Sequence, residues 1–160
     1  MEWLFLFAVF VAAAWWFSKR KPASNGGVVY PEVDVGRSLA DAVPARFVVF
    51  DLETTGLYAN QHEIIEIGAI RVDRDGDRHD TFQTLIRSLK PVPVLIEELT
   101  GISEEMLDRD GVPLAQAMRD LAEFVGDLPM VAFNAKFDKS FLSEASRTTG
   151  VRFKTRFRVP

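Results

Sequence analysis

Phe47-Val48-Val49-Phe50 is an unbroken apolar run that stops abruptly at Asp51-Leu52-Glu53. No other feature restricts the fold as much. The run is too short for a buried helix and reads as a strand covered on both faces. A buried strand needs neighbours, and the following sequence supplies them. Ile64 to Val72 reads as a second strand. Asp73-Arg74-Asp75-Gly76-Asp77 is a turn cluster with an Asp-Gly hairpin signal. His79 to Ile86 alternates, with Phe82, Thr84 and Ile86 on one side, completing an antiparallel meander that Pro91 and Pro93 end. A short helix is expected over Ser103 to Asp108, after Thr100-Gly101. Pro113 opens an amphipathic helix on which Leu114, Met118, Leu121 and Val125 share a face, and Gly126 stops it. Met130 to Phe133 reads as a short strand. Asp138 to Arg147 reads as a helix with Phe141, Leu142 and Ala145 inward. The order predicts an α/β fold: a mixed sheet of a three-strand antiparallel meander and a parallel strand, with flanking helices.

Composition divides the rest of the chain. From Trp3 to Phe17 all 15 residues are apolar, about 22 Å as a helix. Glu2 precedes this run and Lys19-Arg20-Lys21 follows it, the reverse of a cleaved signal peptide. The expectation is a single-pass anchor over residues 1–18 in an inner or plasma membrane, with the following chain in the cytoplasm. About 20 residues suit a hydrocarbon layer of ~30 Å, so thinning and snorkelling of Lys19 or Arg20 would cover the difference. The alternatives are a buried helix or an interfacial one, and an interfacial helix needs a polar face that this run lacks. Residues 19–44 read as a flexible linker, with Pro22, Gly26, Gly27, Pro31, Gly36 and Pro44, and one helical turn over Leu39 to Val43. Residues 45–160 form the folded domain. Its charge is hidden by the whole-chain value of −4. Setting aside eight cations near the two ends leaves 11 cations against 22 acids between Pro22 and Ser146, a net of −11. The absence of cysteine excludes a disulfide framework, a Cys-type zinc site and a thiol nucleophile.

Two places could carry chemistry. Asp51 and Glu53 stand at i and i+2, so both carboxylates leave one side of a strand end. Hard oxygen ligands there suit Mg²⁺ or Mn²⁺. Thr54-Thr55-Gly56 adds hydroxyls and a close backbone approach. The blander alternative is a pair of carboxylates capping a surface turn. The second place is Phe133-Asn134-Ala135-Lys136-Phe137-Asp138, also after an apolar strand, where Asp138 taken alone reads as a helix N-cap. Ligands of α/β sheets sit at the carboxyl ends of strands. A third carboxylate there would complete much of a two-metal site.

Phe50-Asp51-Leu52-Glu53-Thr54-Thr55-Gly56-Leu57 resembles the first motif of the DEDD (DnaQ-like) 3′–5′ exonuclease superfamily. Ile64-Ile65-Glu66-Ile67-Gly68-Ala69-Ile70 resembles its second strand, and Leu99-Thr100-Gly101-Ile102-Ser103 its substrate-side segment. Val131 to Asp138 resembles the second exonuclease motif. Proofreading epsilon subunits of bacterial DNA polymerase III are the nearest branch. The resemblance runs from about Arg46 to about Gly150. It implies a ribonuclease-H-like fold and two divalent cations, Mg²⁺ or Mn²⁺. Asp51, Glu53 and Asp138 would be catalytic metal ligands, and Thr54, Thr55, Gly56, Thr100 and Asn134 would lie near the terminal nucleotide. The implied reaction is attack by water on the last phosphodiester, with release of a nucleoside monophosphate. The implied partner is a nucleic-acid 3′ end, DNA before RNA, with a DNA polymerase subunit as a second partner and the membrane engaged through residues 3–17.

Phe133 stands where many relatives carry His. The family also has a third motif, with a general base and a fourth carboxylate. It is expected several dozen residues beyond Asp138, whereas 22 residues follow Asp138 here. His62 and His79 precede the second motif and read as solvated surface residues. The expectation is therefore an exonuclease domain truncated at its C-terminus, its fold incomplete there, with little or no activity. The alternatives are a degenerate domain that binds nucleic acid or a polymerase, and a haloacid-dehalogenase-type phosphatase. The latter wants Asp in place of Glu53. In the tail, Val151, Phe153, Thr155, Phe157 and Val159 alternate with Arg152, Lys154, Arg156 and Arg158. That predicts a strand whose basic face either contacts phosphate or is simply solvated.

Overall fold

The computed structural model describes residues 44–73, 79–132 and 134–155. The expected anchor, the linker up to residue 43, most of the Asp-Gly turn and the end of the tail lie outside the described residues. Among the described residues no helix is long and apolar enough to cross a membrane.

The strands are β1 (Arg46–Thr54), β2 (Ile64–Asp73), β3 (Asp80–Leu85) and β4 (Met130–Val131). They form one sheet in the order β3-β2-β1-β4. β1 and β2 pair antiparallel, as do β2 and β3, while β4 lies parallel to β1 through Val48–Met130 and Val49–Val131. This is the expected mixed sheet.

Four helices follow the meander: α1 (Val94–Thr100), α2 (Glu104–Asp110), α3 (Leu114–Val125) and α4 (Ala135–Thr149). The apolar stripes of α3 and α4 cover one sheet face. Met118, Leu121 and Leu142 are fully buried there against Val48, Phe50, Leu52 and Ile67. Burial of each such side chain contributes about 1.5–3 kcal/mol. Arg71 closes the edge of this layer. Its guanidinium stacks 4.7 Å from the Phe124 ring centroid and binds the Phe124 carbonyl at 2.5 Å.

Burial of β1 on both faces is not what forms. Val48, Phe50, Leu52 and Thr54 are buried, while Phe47, Val49 and Glu53 are half-buried and Asp51 is exposed. The strand alternates because its second face carries carboxylates, which need water or a counter-charge.

α1 was not expected. Pro91 and Pro93 end the meander, and Pro93 also starts a helix, with φ −59°. A proline lacks only an N–H that the first turn leaves unpaired anyway. Gly101 ends α1 in the left-handed region at φ +72°. Ser103 then caps α2, its hydroxyl accepting from the Met106 N–H at 3.3 Å. A second apolar cluster of Ile65, Leu85, Val92, Ile102 and Leu107 joins this helical corner to the sheet.

The tail differs as well. Gly150, at φ +74°, ends α4, and residues 151–155 form no strand. Val151 and Phe153 pack on the main core. Their alternation with Arg152 and Lys154 reflects an extended segment lying on the core and not a sheet pairing.

Candidate active site

Asp51 and Glu53 leave the same face of β1, as their spacing requires. Glu53 stands directly opposite Glu66 of β2, and the register shifts immediately afterwards, so that Thr54 pairs with Ile64. Ile65 is the extra residue of this bulge. It lets two consecutive isoleucines bury in different places, Ile64 in the main core and Ile65 under the helical corner. Bulges re-aim side chains beside functional sites. Here the bulge separates the carboxylate-bearing strand end from the loop that follows.

That loop is tightly tied. Thr54 Oγ1 donates to the Gly56 carbonyl at 2.7 Å. Thr55 Oγ1 accepts from the Glu63 N–H at 2.9 Å, and the Thr55 N–H donates to the Glu63 carbonyl at 2.9 Å. Both threonines are buried. Both therefore shape the loop that the resemblance places near the terminal nucleotide. His62 is half-buried, not solvated. Its ring lies over Gly56 so closely that a Cβ there would fall 2.4 Å from Cε1. His79 is exposed. Glu63 accepts from Ser88 Oγ at 2.6 Å and from the Leu89 N–H at 2.9 Å, fastening the loop after β3 to the start of β2.

Asp138 is not an N-cap. Asn134 occupies that position, its carbonyl accepting from the N–H groups of Phe137 and Asp138. Asp138 sits one turn into α4 with 1% of its surface exposed. Its Oδ2 has no hydrogen-bond partner among the described residues. Asn134 is exposed at the helix start, and Thr100 is half-buried with its hydroxyl donating to the Ile96 carbonyl at 2.8 Å.

The carboxylates share one electrostatic field. Burial, then the charges of Asp51, Glu66 and Asp138, push Glu53 up to about 7. Burial first, then Asp51, raises Asp138 to about 6, against the N–H groups of Asp138 and Leu52. Asp51, though exposed as a residue, is raised by partial desolvation of its carboxyl, opposed by the Leu52 N–H. Burial and the Asp51 charge also raise Glu66, against its hydrogen bond from Gln83 at 2.7 Å. Glu66 was not singled out from the sequence as a site residue. The available signal was a carboxylate inside an otherwise apolar strand, Ile64-Ile65-Glu66-Ile67. Its placement depends on the strand register.

Among the described residues no three His, Cys, Asp or Glu side chains gather closely enough to hold a metal ion. Asp51, Glu53 and Asp138 thus meet as a field of like charges and not as a closed cage. The donor set still fits a hard divalent cation: every donor is a carboxylate oxygen, and one buried oxygen lacks any partner.

The family model for exonucleases matches residues 48–154, from the core of β1 to the segment after α4. The chain belongs to the exonuclease family. It is 42% identical over 99 residues to the PolC-type DNA polymerase III of Bacillus subtilis (strain 168), covering 62% of this chain and 7% of that protein. It thus spans under a tenth of such a relative's length. Among solved structures, exonuclease I of Methylocaldum szegediense superposes with a TM-score of 0.64 at 15% identity, over 72% of this chain and 28% of that one. The zinc-bound E. coli exonuclease I complex with single-stranded DNA superposes with a TM-score of 0.59 at 17% identity, over 66% of this chain and 24% of that one. These likenesses show a ribonuclease-H-like exonuclease fold. The family match removes the dehalogenase-type alternative.

Proposed function

We propose that this domain binds a nucleic-acid 3′ end at Asp51, Glu53 and Asp138 and removes nucleoside monophosphates from it. The observation that carries this reading is the buried, partnerless Asp138 Oδ2 in the field of two strand-end carboxylates, in a chain of the exonuclease family. Asp51, Glu53 and Asp138 would hold two divalent cations, Mg²⁺ or Mn²⁺. When bound, such ions neutralise phosphate charge and lower the pKa of water. The chain's own residues do the positioning. The bulged end of β1 presents Asp51 and Glu53, the first turn of α4 presents Asp138, and the loop locked by Thr54, Thr55 and His62 forms one wall. Gly56 lets the backbone approach closely, and exposed Asn134 and half-buried Thr100 offer polar groups at the rim. The PolC-type relatives support DNA over RNA and a polymerase subunit as partner.

Turnover by these 160 residues is slow in this reading. His62 and His79 both precede the second motif, so in this reading neither serves as the general base, whose loss lowers rates about 10²–10⁴-fold. A 3′-end-labelled oligodeoxynucleotide with Mn²⁺ tests this. Slow release of labelled monophosphate, abolished by Asp51→Ala, is expected. Product from the 5′ end, or release indifferent to Asp51→Ala, overturns the reading. Brisk digestion overturns only the slow turnover.

We also infer that residues 3–17 tether the domain to an inner or plasma membrane, with the domain on the cytoplasmic side. The apolar run and the cations after it support this. Carbonate-resistant membrane association, lost on deletion of residues 1–18, is the expected result. Unchanged partitioning after the deletion defeats it.

A further inference from the structure

Cross-strand partners point to the same side of an antiparallel sheet, so the register fixes what stands on the face turned away from α3 and α4. One row across the strands is Asp51, Gly68 and Gln83, and the next is Glu53, Glu66 and Leu85. Leu85 is buried under the helical corner, which closes that end of its row. Gly68 brings no side chain to its own row. Open space surrounds its Cβ position, with no atom within 4 Å. The result is a bare floor between Asp51 and Gln83, with Glu53 and Glu66 beside it.

Glu66 is fixed from the side, with Gln83 Nε2 donating to its Oε1 at 2.7 Å. That bond engages one carboxylate oxygen and leaves Oε2 to accept from elsewhere. Beyond burial, the charges of Asp51 and Glu66 raise Glu53, and that of Asp51 raises Glu66. The three groups thus lie within reach of one another's charge. Among the described residues no three His, Cys, Asp or Glu side chains gather closely enough to hold an ion. A divalent cation seated on these carboxylates therefore takes few ligands from them and keeps water for the rest. Mg²⁺ dehydrates reluctantly and usually keeps several waters. Water on a divalent ion is a strengthened donor, and acceptors around it tune how tightly the ion is held.

We propose that Glu66, fixed by Gln83, is a positioning residue for a divalent cation at Asp51 and Glu53: its Oε2 accepts hydrogen bonds from the ion's water molecules, which lie over the bare floor at Gly68. It rests on the reading of Asp51, Glu53 and Asp138 as holders of divalent cations and adds what holds the ion's water. Glu66 touches neither metal nor substrate in this arrangement. With Glu66 ionised beside Asp51, Glu53 and Asp138, four negative charges face the four positive charges of two divalent ions. The competing role is structural only, a cross-strand hydrogen bond joining β2 to β3, which the experiment separates.

The full chain in mild detergent is titrated with Mn²⁺ at pH 7.5, without nucleic acid, by the electron paramagnetic resonance of the free ion. Proton relaxation counts the waters on the bound ion. Glu66→Gln keeps the shape of the side chain and the acceptor for Gln83 and removes the charge. It should weaken Mn²⁺ about tenfold or more, with the water count unchanged and the melting temperature of the metal-free protein not lowered. Gln83→Leu should lose about threefold, and nothing further in a chain that already carries Glu66→Gln. Gly68→Val, whose side chain suits a strand and fills the floor, should weaken Mn²⁺ about fivefold at an unlowered melting temperature. Glu123→Gln removes equal charge from an exposed position of α3 and should stay within twofold. An affinity within twofold of the wild type in Glu66→Gln overturns the proposal and leaves the pair a structural one. An equal loss in Glu123→Gln overturns it in favour of long-range charge. A water count raised by one in Glu66→Gln also overturns it, since Glu66 is then itself a ligand. The underlying reading fails separately, if Mn²⁺ affinity ignores Asp51→Ala.

Discussion

At the scale of single residues, the site holds carboxylates whose burial and mutual repulsion the protein alone does not relieve. Glu53 is raised from the usual 4.5 to about 7, and Asp138 from 3.8 to about 6. A group whose pKa is raised by folding holds its proton longer in the folded state. Between pH 4 and 7 the folded chain therefore binds more protons than the unfolded chain, and stability falls as pH rises. Urea unfolding of metal-free protein at pH 5 and pH 7.5 should show the lower midpoint at pH 7.5. Glu53→Gln should remove part of that dependence and stabilise the metal-free protein at pH 7.5 by about 1–2 kcal/mol. A pH-independent midpoint in the wild type would contradict it. Thr55 tests the opposite kind of residue, buried and fully employed. Thr55→Val leaves the Glu63 N–H without its 2.9 Å acceptor. The expected loss is about 1–3 kcal/mol, read by thermal unfolding.

At the scale of elements, a close joint lies between the end of α2 and the end of β3. Ile86 bridges Val112, with Val112 N–H donating to Leu85 and Arg87 N–H to Val112, both at 3.0 Å. Gly111 makes this approach possible. A Cβ there would fall 2.3 Å from the Leu107 carbonyl oxygen and 2.7 Å from the Arg87 nitrogen. These are backbone atoms and cannot swing away. Gly111→Ala should cost about 1–3 kcal/mol or more, with the loss appearing as a lowered melting temperature. Gly68→Ala makes the comparison, because open space surrounds its Cβ position. Which helices form was partly legible at this scale. α3 was readable from its spacing and from Gly126. α1 was not, because a proline ends one element and starts the next with the same fixed φ. The tail misled for a related reason: period-two alternation marks any extended segment with one face on a core, whether or not a neighbour pairs with it.

At the scale of the whole molecule, charge and cation are linked. An acidic domain holding an unpaired buried carboxylate oxygen should be stabilised by a divalent ion that binds only the folded state. At a hundred times its dissociation constant the gain is about 2.7 kcal/mol. Mn²⁺ should therefore raise the melting temperature at pH 7.5 and do so far less at pH 5, where protons occupy Glu53 and Asp138. Asp138→Asn should abolish the Mn²⁺ effect. An equal Mn²⁺ shift in that variant would place the ion elsewhere.

The sequence by itself determined the strand run into Asp51 and Glu53, their common face, the amphipathic helix over Leu114–Val125 and the motif order that the family match bears out. Each of these is local, set by periods of 2 and 3.6 residues and by fixed spacings. What only the tertiary structure decided is who meets whom. The β1–β2 register sets Glu66 opposite Glu53, the bulge at Ile65 splits two adjacent isoleucines between two cores, and the packing of α4 buries Asp138. The same packing turns Lys136, Lys139 and Arg147 outward together. Register and packing depend on contacts between residues far apart in the chain, and no local spacing encodes them.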